Sequence, residues 1–409
     1  MKNILASSKY FVKWLGISLC VGIPMGGLSA FFLKNLALVT SWRIQQPWLL
    51  FLLPVAGLLF GFLYHRYGAN AKRGNNLVIE QGNGGKEKIP LRLIPLTLFG
   101  TLSTHLFGGS VGREGTAVQM GGSVADFWSR LFHLAPSDRE IMIVSGMSAG
   151  FGSVFGTPLA GTIFALEVLV VGRIRTEALV PAFFSSLVAN YVTEALGVVH
   201  THYLMGTAPT FTWFLIGKLI IAGILFGLTG WLFAHSISWL KQFYARVITS
   251  PAWRNAAGGA VVVLFVLLFH GERYTGLSTQ LLADAFKGEA HFFDFISKLF
   301  YTALSLGAGF QGGEVTPLFE IGATLGADLA KLFQISVPFL AGLGFIGVFS
   351  GATNTPIACF IMGIELFGGE NALYFFLICV VAFFASGRST IYGSQFFIKE
   401  KFQHQETIL

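Results

Sequence analysis

Two short stretches carry the residues that could do chemistry. The first is Gly108-Gly109-Ser110-Val111-Gly112-Arg113-Glu114-Gly115-Thr116, and the second is Gly312-Gly313-Glu314-Val315-Thr316-Pro317. Both contain Gly-x-Glu-x-Thr, and they lie 200 residues apart. Each follows an apolar segment and opens another, so each places a carboxyl, Glu114 or Glu314, where a helix is expected to begin. Glycines let the backbone turn sharply and expose its N–H groups. A helix start offers unpaired N–H donors and a partial positive charge, which together favour an anion. A carboxylate there can be that anion, or it can hold the place until another arrives.

The elements that must position these groups are built for lipid. Of 409 residues, 54% are hydrophobic and only 11% charged. A mean hydropathy of +0.67 is too high for a soluble globule and suits a polytopic membrane protein. One transmembrane domain over 1–409 is expected, in contact with the bilayer. The net charge of +7 comes without a basic tract interleaved with aromatics, so nucleic acid is not an expected partner. The excess reads as positive-inside charge, with Lys2, Lys9, Lys13, Arg66, Lys72 and Arg73 as candidate cytoplasmic groups. The first apolar run, roughly 14–39, is too long for a cleavable signal and is expected to insert as a span. Cys20, Cys359 and Cys379 all fall in apolar segments and read as small core or lipid-facing residues.

Apolar stretches recur along the whole chain, but several are shorter than the ~20 residues a perpendicular span takes. Many are also broken by Gly or Pro. Non-helical backbone at membrane depth is tolerated only where protein or a cavity shields it. The reading is therefore an all-α fold of tilted, broken and re-entrant helices whose ends meet at an internal site. A second motif pair supports duplication. Thr157-Pro158-Leu159-Ala160 leads to Glu167 and Thr355-Pro356-Ile357-Ala358 leads to Glu365, with ten residues from Thr to Glu in both. The spacing from Glu114 to Thr157 is 43 residues and from Glu314 to Thr355 is 41. Two motifs in one order at near-equal spacing mark repeats over about 10–200 and 205–395, joined through 199–210. If each crosses the membrane an odd number of times, they are inverted, with a buried anion site between them. A short polar tail, 393–409, follows. Glu167 and Glu365 occupy equivalent places, which suggests bonding to backbone amides more than chemistry.

These motifs, in this order, resemble those of the CLC family of anion channels and proton-coupled antiporters, over about residues 15–392. In that family three glycine-rich helix starts and a late tyrosine surround a buried anion. The resemblance implies that Asn75, Gly112, Gly115, Thr116, Val315, Thr316 and Tyr392 bind the anion here. It also implies that Glu114 and Glu314 serve gating and proton coupling. Departures from chloride-type members are Asn75 for a serine, Thr116 for a proline, and Glu314-Val315-Thr316 for Ile-Phe-Ala. Val168 stands where chloride/proton exchangers carry a proton-relay glutamate. These departures resemble the fluoride-exporting branch. The implied activity is fluoride export in exchange for inward protons, by a homodimer with one pathway per subunit in the bacterial plasma membrane.

Each residue also has a plainer reading. Glu114 and Glu314 could simply cap helices, and Thr316 could bond its own helix backbone. Asn75 could be an Asn-Asn cap, and Tyr392 an interfacial tyrosine. Arg113 is expected to pair with a carboxylate or face a vestibule. Some of the 42 phenylalanines could present electropositive ring edges to fluoride, but no ring can be chosen from sequence. The nearest rivals are a chloride/proton exchanger or an uncoupled anion channel on the same fold. An intramembrane enzyme is the distant one. The phosphate-loop likeness of 109–116 lacks the lysine before Ser/Thr, and neither His-Glu-x-x-His nor a cysteine-rich metal pattern is present. No cofactor or metal is expected.

Overall fold

Among the described residues, sixteen α-helices fall into two runs of eight on either side of the stretch 199–210. The structure, a computed structural model, describes residues 2–201, 203–206 and 208–398, with side chains from residue 10 onward; most of the expected polar tail, 399–409, lies outside the described residues. The first run is α1 (Lys2–Gln45), α2 (Leu53–Tyr67), α3 (Asn75–Gly82), α4 (Leu93–Leu106), α5 (Glu114–Leu131), α6 (Pro136–Phe155), α7 (Pro158–Glu167) and α8 (Leu179–Ala195). The second is α9 (Trp213–Val247), α10 (Pro251–Phe269), α11 (Gln280–Lys287), α12 (Asp294–Ala308), α13 (Val315–Phe333), α14 (Val337–Thr353), α15 (Pro356–Phe367) and α16 (Ala372–Ala385). Lengths match in order: α3 and α11 each have 8 residues, α5 and α13 have 18 and 19, α7 and α15 have 10 and 12.

Four segments among the described residues are long and apolar enough to cross a membrane: Tyr10–Gln45, Pro47–Tyr67, Trp213–Val247 and Pro251–Phe269. They open each run, and they expose large apolar side chains such as Phe31, Phe62, Trp231 and Leu264, as a lipid-facing surface should. Helices α5, α6, α13 and α14 behind them are more deeply buried. From Val315 to Ala330, α13 is buried on every face. Small residues bring these inner helices together. A Cβ on Gly121 of α5 would lie 1.9 Å from the Gly146 carbonyl of α6, and one on Gly322 of α13 would lie 2.0 Å from the Gly344 carbonyl of α14. In lipid, where apolar burial does not drive helix pairing, such close backbone approach supplies much of the packing.

The Thr-Pro motifs explain how each run turns back. Helix α6 ends at Gly156 (φ 74°) and α14 at Asn354 (φ 58°), both left-handed. Gly and Asn suit that conformation at a helix C-terminus. Thr and Pro follow, and the proline occupies the first helical position, where its missing N–H costs nothing. The next open donors are satisfied across the repeats. Leu159 and Ala160 N–H of α7 donate to the Glu365 carboxylate at 2.8 and 2.6 Å. Ile357 and Ala358 N–H of α15 donate to Glu167 at 3.1 and 2.8 Å. Each repeat thus caps the other's short helix, and charge-assisted bonds of this kind contribute about 1.5–3 kcal/mol each.

One feature departs from the all-helical pattern. Val170–Val171 pairs in parallel with Phe396–Phe397. This two-residue ribbon draws the chain after α16 back beneath the end of α7, which brings Tyr392 to the interior, 5% exposed.

Candidate anion pathway

The two Gly-x-Glu-x-Thr motifs meet head to head. Gly112 N–H donates to the Gly313 carbonyl at 2.7 Å and Gly313 N–H returns a bond to the Gly112 carbonyl at 2.8 Å, forming an antiparallel bridge. Helix α5 starts two residues after Gly112 and α13 two after Gly313, so both helix starts face this point. Gly313 is required there by space. A Cβ on it would stand 1.8 Å from Glu114 Oε1. Gly112 is almost as confined, at 2.7 Å from Glu114 Oε2.

Glu114, 1% exposed, does not cap its own helix alone. Its carboxylate crosses to the start of α13. Val315 N–H donates to Oε1 at 2.5 Å, while Thr316 N–H and Thr316 Oγ1 donate to Oε2 at 3.3 and 3.2 Å. Arg113 N–H adds a fourth bond at 3.0 Å. An unpaired carboxylate in an apolar interior would be prohibitively costly. Four donors, two of them open amides at the positive end of α13, offset that cost.

Space lies on both sides of the contact between Glu114 and Thr316. One side is a vestibule of about 460 Å³, lined among others by Arg113, Thr316 and Phe319, with Ala37 to Gln45 of α1 along its wall. The Arg113 guanidinium lies over the Phe155 ring at 5.5 Å. The other side is a cavity of about 10 Å³ lined by Asn75, Ile79, Glu114, Gly115, Val118, Met147, Phe164, Val168 and Tyr392. That is roughly the space one water-sized particle needs. Asn75 accepts from Gln119 Nε2 at 3.2 Å through Oδ1, so its Nδ2 hydrogens are what it has left to offer. A Cβ on Gly115 would stand 2.9 Å from that Nδ2. The Tyr392 ring meets Phe164 edge to face at 6.1 Å. Its backbone is pinned through Tyr392 N–H to Thr390 Oγ1 at 3.1 Å and Ile391 N–H to the Ala352 carbonyl at 3.1 Å.

The structure gathers Glu114, Asn75, Gly115 and Tyr392 around one cavity, with Val315 and Thr316 bonding the Glu114 carboxylate and Gly112 leaving it room. Two expected residues stand apart. Thr116 turns to α4, where its hydroxyl bonds Thr101 Oγ1 at 2.6 Å, so it faces neither the cavity nor Glu114. Glu314 does not join Glu114. Its Oε2 is buried without a hydrogen-bond partner among the described residues. The two motifs are alike in sequence but not in use, because α5 begins at its glutamate and α13 one residue after its own. Arg113 faces the vestibule.

Sequence reasoning misses two features. Phe164 is the phenylalanine that lines the small cavity, and no local pattern distinguishes it from the others. Lys298 and Glu320 form an ion pair of 3.1 Å with both side chains 0% exposed. A signal for that pair exists, since a lone lysine inside the apolar stretch 293–309 needs a partner. Among the described residues no group of three His, Cys, Asp or Glu could hold a metal ion.

A carboxylate that lines a cavity with room for one water-sized particle and bonds a residue of a wide vestibule, through donors that would equally hold a free anion, is an arrangement that suits an anion pathway. The model of the voltage gated chloride channel family matches residues 56–387, and the chain belongs to this family. It is 45% identical over 392 residues to a "chloride/fluoride channel protein" of Pseudomonas syringae pv. tomato, covering 94% of this chain and 87% of that one. It is 26% identical over 396 residues to an H(+)/Cl(-) exchange transporter ClcA of Vibrio cholerae, covering 90% and 84%. A solved crystal structure of a CLC-type fluoride/proton antiporter superposes with a TM-score of 0.92 at 38% identity, covering 94% of this chain and 98% of that one.

Proposed function

We propose that this protein is a fluoride/proton antiporter that exports fluoride in exchange for inward protons. Its setting is the bacterial plasma membrane, and its working form is a homodimer with one pathway per subunit. The observation that carries the reading is the Glu114 carboxylate held by Val315 and Thr316 between the vestibule and the one-ion cavity. The cavity lies beside Asn75, which follows the basic stretch 66–73, so it is the inner compartment. The vestibule, walled by the far end of α1, is the outer one.

The geometry couples two opposite flows through one group. Ionised, Glu114 occupies the amides of α13 as an anion. A proton from the vestibule neutralises it and weakens those charge-assisted bonds. The neutral side chain leaves, and fluoride advances from the cavity onto the vacated donors of Val315 and Thr316. Fluoride then passes into the vestibule, and Glu114 returns its proton inward before rebinding. Asn75 and Tyr392 supply the inner donors. Fluoride is more strongly hydrated than chloride, and an amide in place of a hydroxyl plus the added Thr316 suit that demand. The inner proton step falls to Glu314, since Val168 lines the cavity where exchangers carry a carboxyl. The physiological logic is simple. Hydrogen fluoride enters cells neutral and dissociates inside, and inward protons drive fluoride out against its gradient.

The second reading is a chloride-conducting relative, as exchanger or channel. The test is purified protein in liposomes, with fluoride or chloride efflux and external pH recorded together under an imposed potassium diffusion potential. Fluoride leaving much faster than chloride, with protons driven the opposite way uphill, is the expected result. Glu114→Gln should abolish the proton counterflow. Equal chloride flux would sink the assignment of Asn75 and Thr316. Fluoride flux without protons would make this a channel with Glu114 as its gate. Light scattering of the detergent-solubilised protein checks the dimer.

A further inference from the structure

Lys298 and Glu320 lie outside the pathway, yet they contact both elements whose meeting creates it. Lys298, on α12, is fully buried, and its Nζ donates to Ser278 Oγ at 2.6 Å and Ser110 Oγ at 2.9 Å while pairing with Glu320 Oε2 at 3.1 Å. The carbonyls of Tyr274 and Gly276 lie 3.4 Å away. Ser278 Oγ also donates to Glu320 Oε2 at 3.1 Å. Ser110 belongs to the loop that carries Glu114, and it is tied to α12 twice more. Its N–H donates to Ser305 Oγ at 3.0 Å and its hydroxyl meets Thr302 Oγ1 at 2.9 Å. Glu320 stands on α13 four residues after Thr316, so it shares a face of the helix that binds the Glu114 carboxylate.

We propose that Lys298 and Glu320 are positioning residues of the Glu114 gate, locking the Gly108–Arg113 loop to α13 so that the carboxylate meets the amides of Val315 and Thr316. The inference rests on the antiporter reading for its assay. The physical ground is redundancy of fixing. The Gly112–Gly313 bridge sets the separation of the two strands of backbone, but a single bridge is a hinge. A second tie through Ser110, Lys298 and Glu320 removes that freedom. A pair that served folding alone would be a poor choice here. Desolvating two charges is expensive, and apolar residues of similar volume usually stabilise as well or better. Retention of the charges makes sense where direction matters, since Lys298 must reach a hydroxyl on one element and a carboxylate on another at once.

That contrast supplies the experiment. The double variant Lys298→Met with Glu320→Met removes both charges and keeps the volume. It is compared with wild type for thermal unfolding in detergent, fluoride efflux, and protons moved per fluoride. The expected result is a melting temperature equal to or above wild type, with protons moved per fluoride reduced about tenfold, within the ~100-fold loss of rate that a misplacement of about 1 Å can cause. Wild-type coupling in the stable double variant overturns the proposal. If the double variant does not fold, Ser110→Ala decides. It leaves the ion pair intact and cuts the loop's side-chain ties to Lys298 and Thr302. Coupling must fall in Ser110→Ala but not in Thr302→Val, which cuts the second tie alone, and unchanged coupling in Ser110→Ala overturns the proposal. Wild-type liposomes run alongside separate this from the parent reading. Absence of fluoride/proton exchange in the wild type would refute the antiporter assignment itself.

Discussion

Gly313→Ala isolates the role of the Glu114 carboxylate with one methyl group. The added carbon would stand 1.8 Å from Oε1 and 2.2 Å from the carboxyl carbon. Ordinary contact distances are about 3.5 Å, so the carboxylate must retreat by roughly 1.5 Å. The bond from Val315 N–H, 2.5 Å in the native chain, does not survive such a move. One charge-assisted bond contributes about 1.5–3 kcal/mol, so occupancy of the α13 amides falls by about 10- to 150-fold at 1.4 kcal/mol per decade. Helix α13 itself has no reason to unfold, because the change is local to a bridge position outside it. With the gate loosened, fluoride should pass with fewer protons. The assay is paired fluoride and pH recording from liposomes at a fixed diffusion potential. Should the methyl also obstruct passage, Gly313→Ala combined with Glu114→Ala makes room and should restore fluoride flux without proton counterflow. A Gly313→Ala protein with wild-type flux and wild-type protons per fluoride would refute the placement of the carboxylate against Gly313.

The two threonines of the repeated motif should behave differently. Thr316→Val removes a donor to Glu114 and should lower protons moved per fluoride several-fold, whereas Thr116→Val should cost about 1 kcal/mol of stability and leave that ratio unchanged. Tyr392→Phe keeps the edge-to-face packing on Phe164 and should weaken apparent fluoride affinity about fivefold, the equivalent of one neutral hydrogen bond, with no change in melting temperature. Glu167→Ala and Glu365→Ala each leave two helix-start amides without their acceptor and should destabilise by about 2–4 kcal/mol, read as lowered melting temperatures, with the larger loss at the more deeply buried Glu167.

Local chemistry makes part of this architecture legible in the sequence alone. Glycine before a carboxyl at the edge of an apolar run announces a helix start, and α5 does begin at Glu114. The Thr-Pro pairs announce α7 and α15 in the same way, and the equivalent places of Glu167 and Glu365 in the two repeats point to bonding of backbone amides, which the structure bears out. Which elements meet is not legible. That Glu114 leaves its own helix for α13 is a contact across 201 residues, and no spacing along the chain encodes it. The same limit explains Thr116. Its motif is the twin of that around Thr316, but α4 stands beside one and the Glu114 carboxylate beside the other. Lys298 stands out as an anomaly in an apolar segment, though its partner can only be found in space.

The exchanged caps of α7 and α15 bear on how the chain is made. The amides of Leu159 and Ala160 wait for Glu365, 206 and 205 residues downstream. At about 5–20 residues per second, a ribosome takes roughly 10 to 40 s to deliver it. During that interval the first half sits in or beside the bilayer with two donors that lipid cannot satisfy. The insertion machinery, or water held within it, must shelter them for that long. A chain truncated between the repeats would keep its hydrophobic spans yet never close this gap, which marks it as a substrate for quality-control proteolysis.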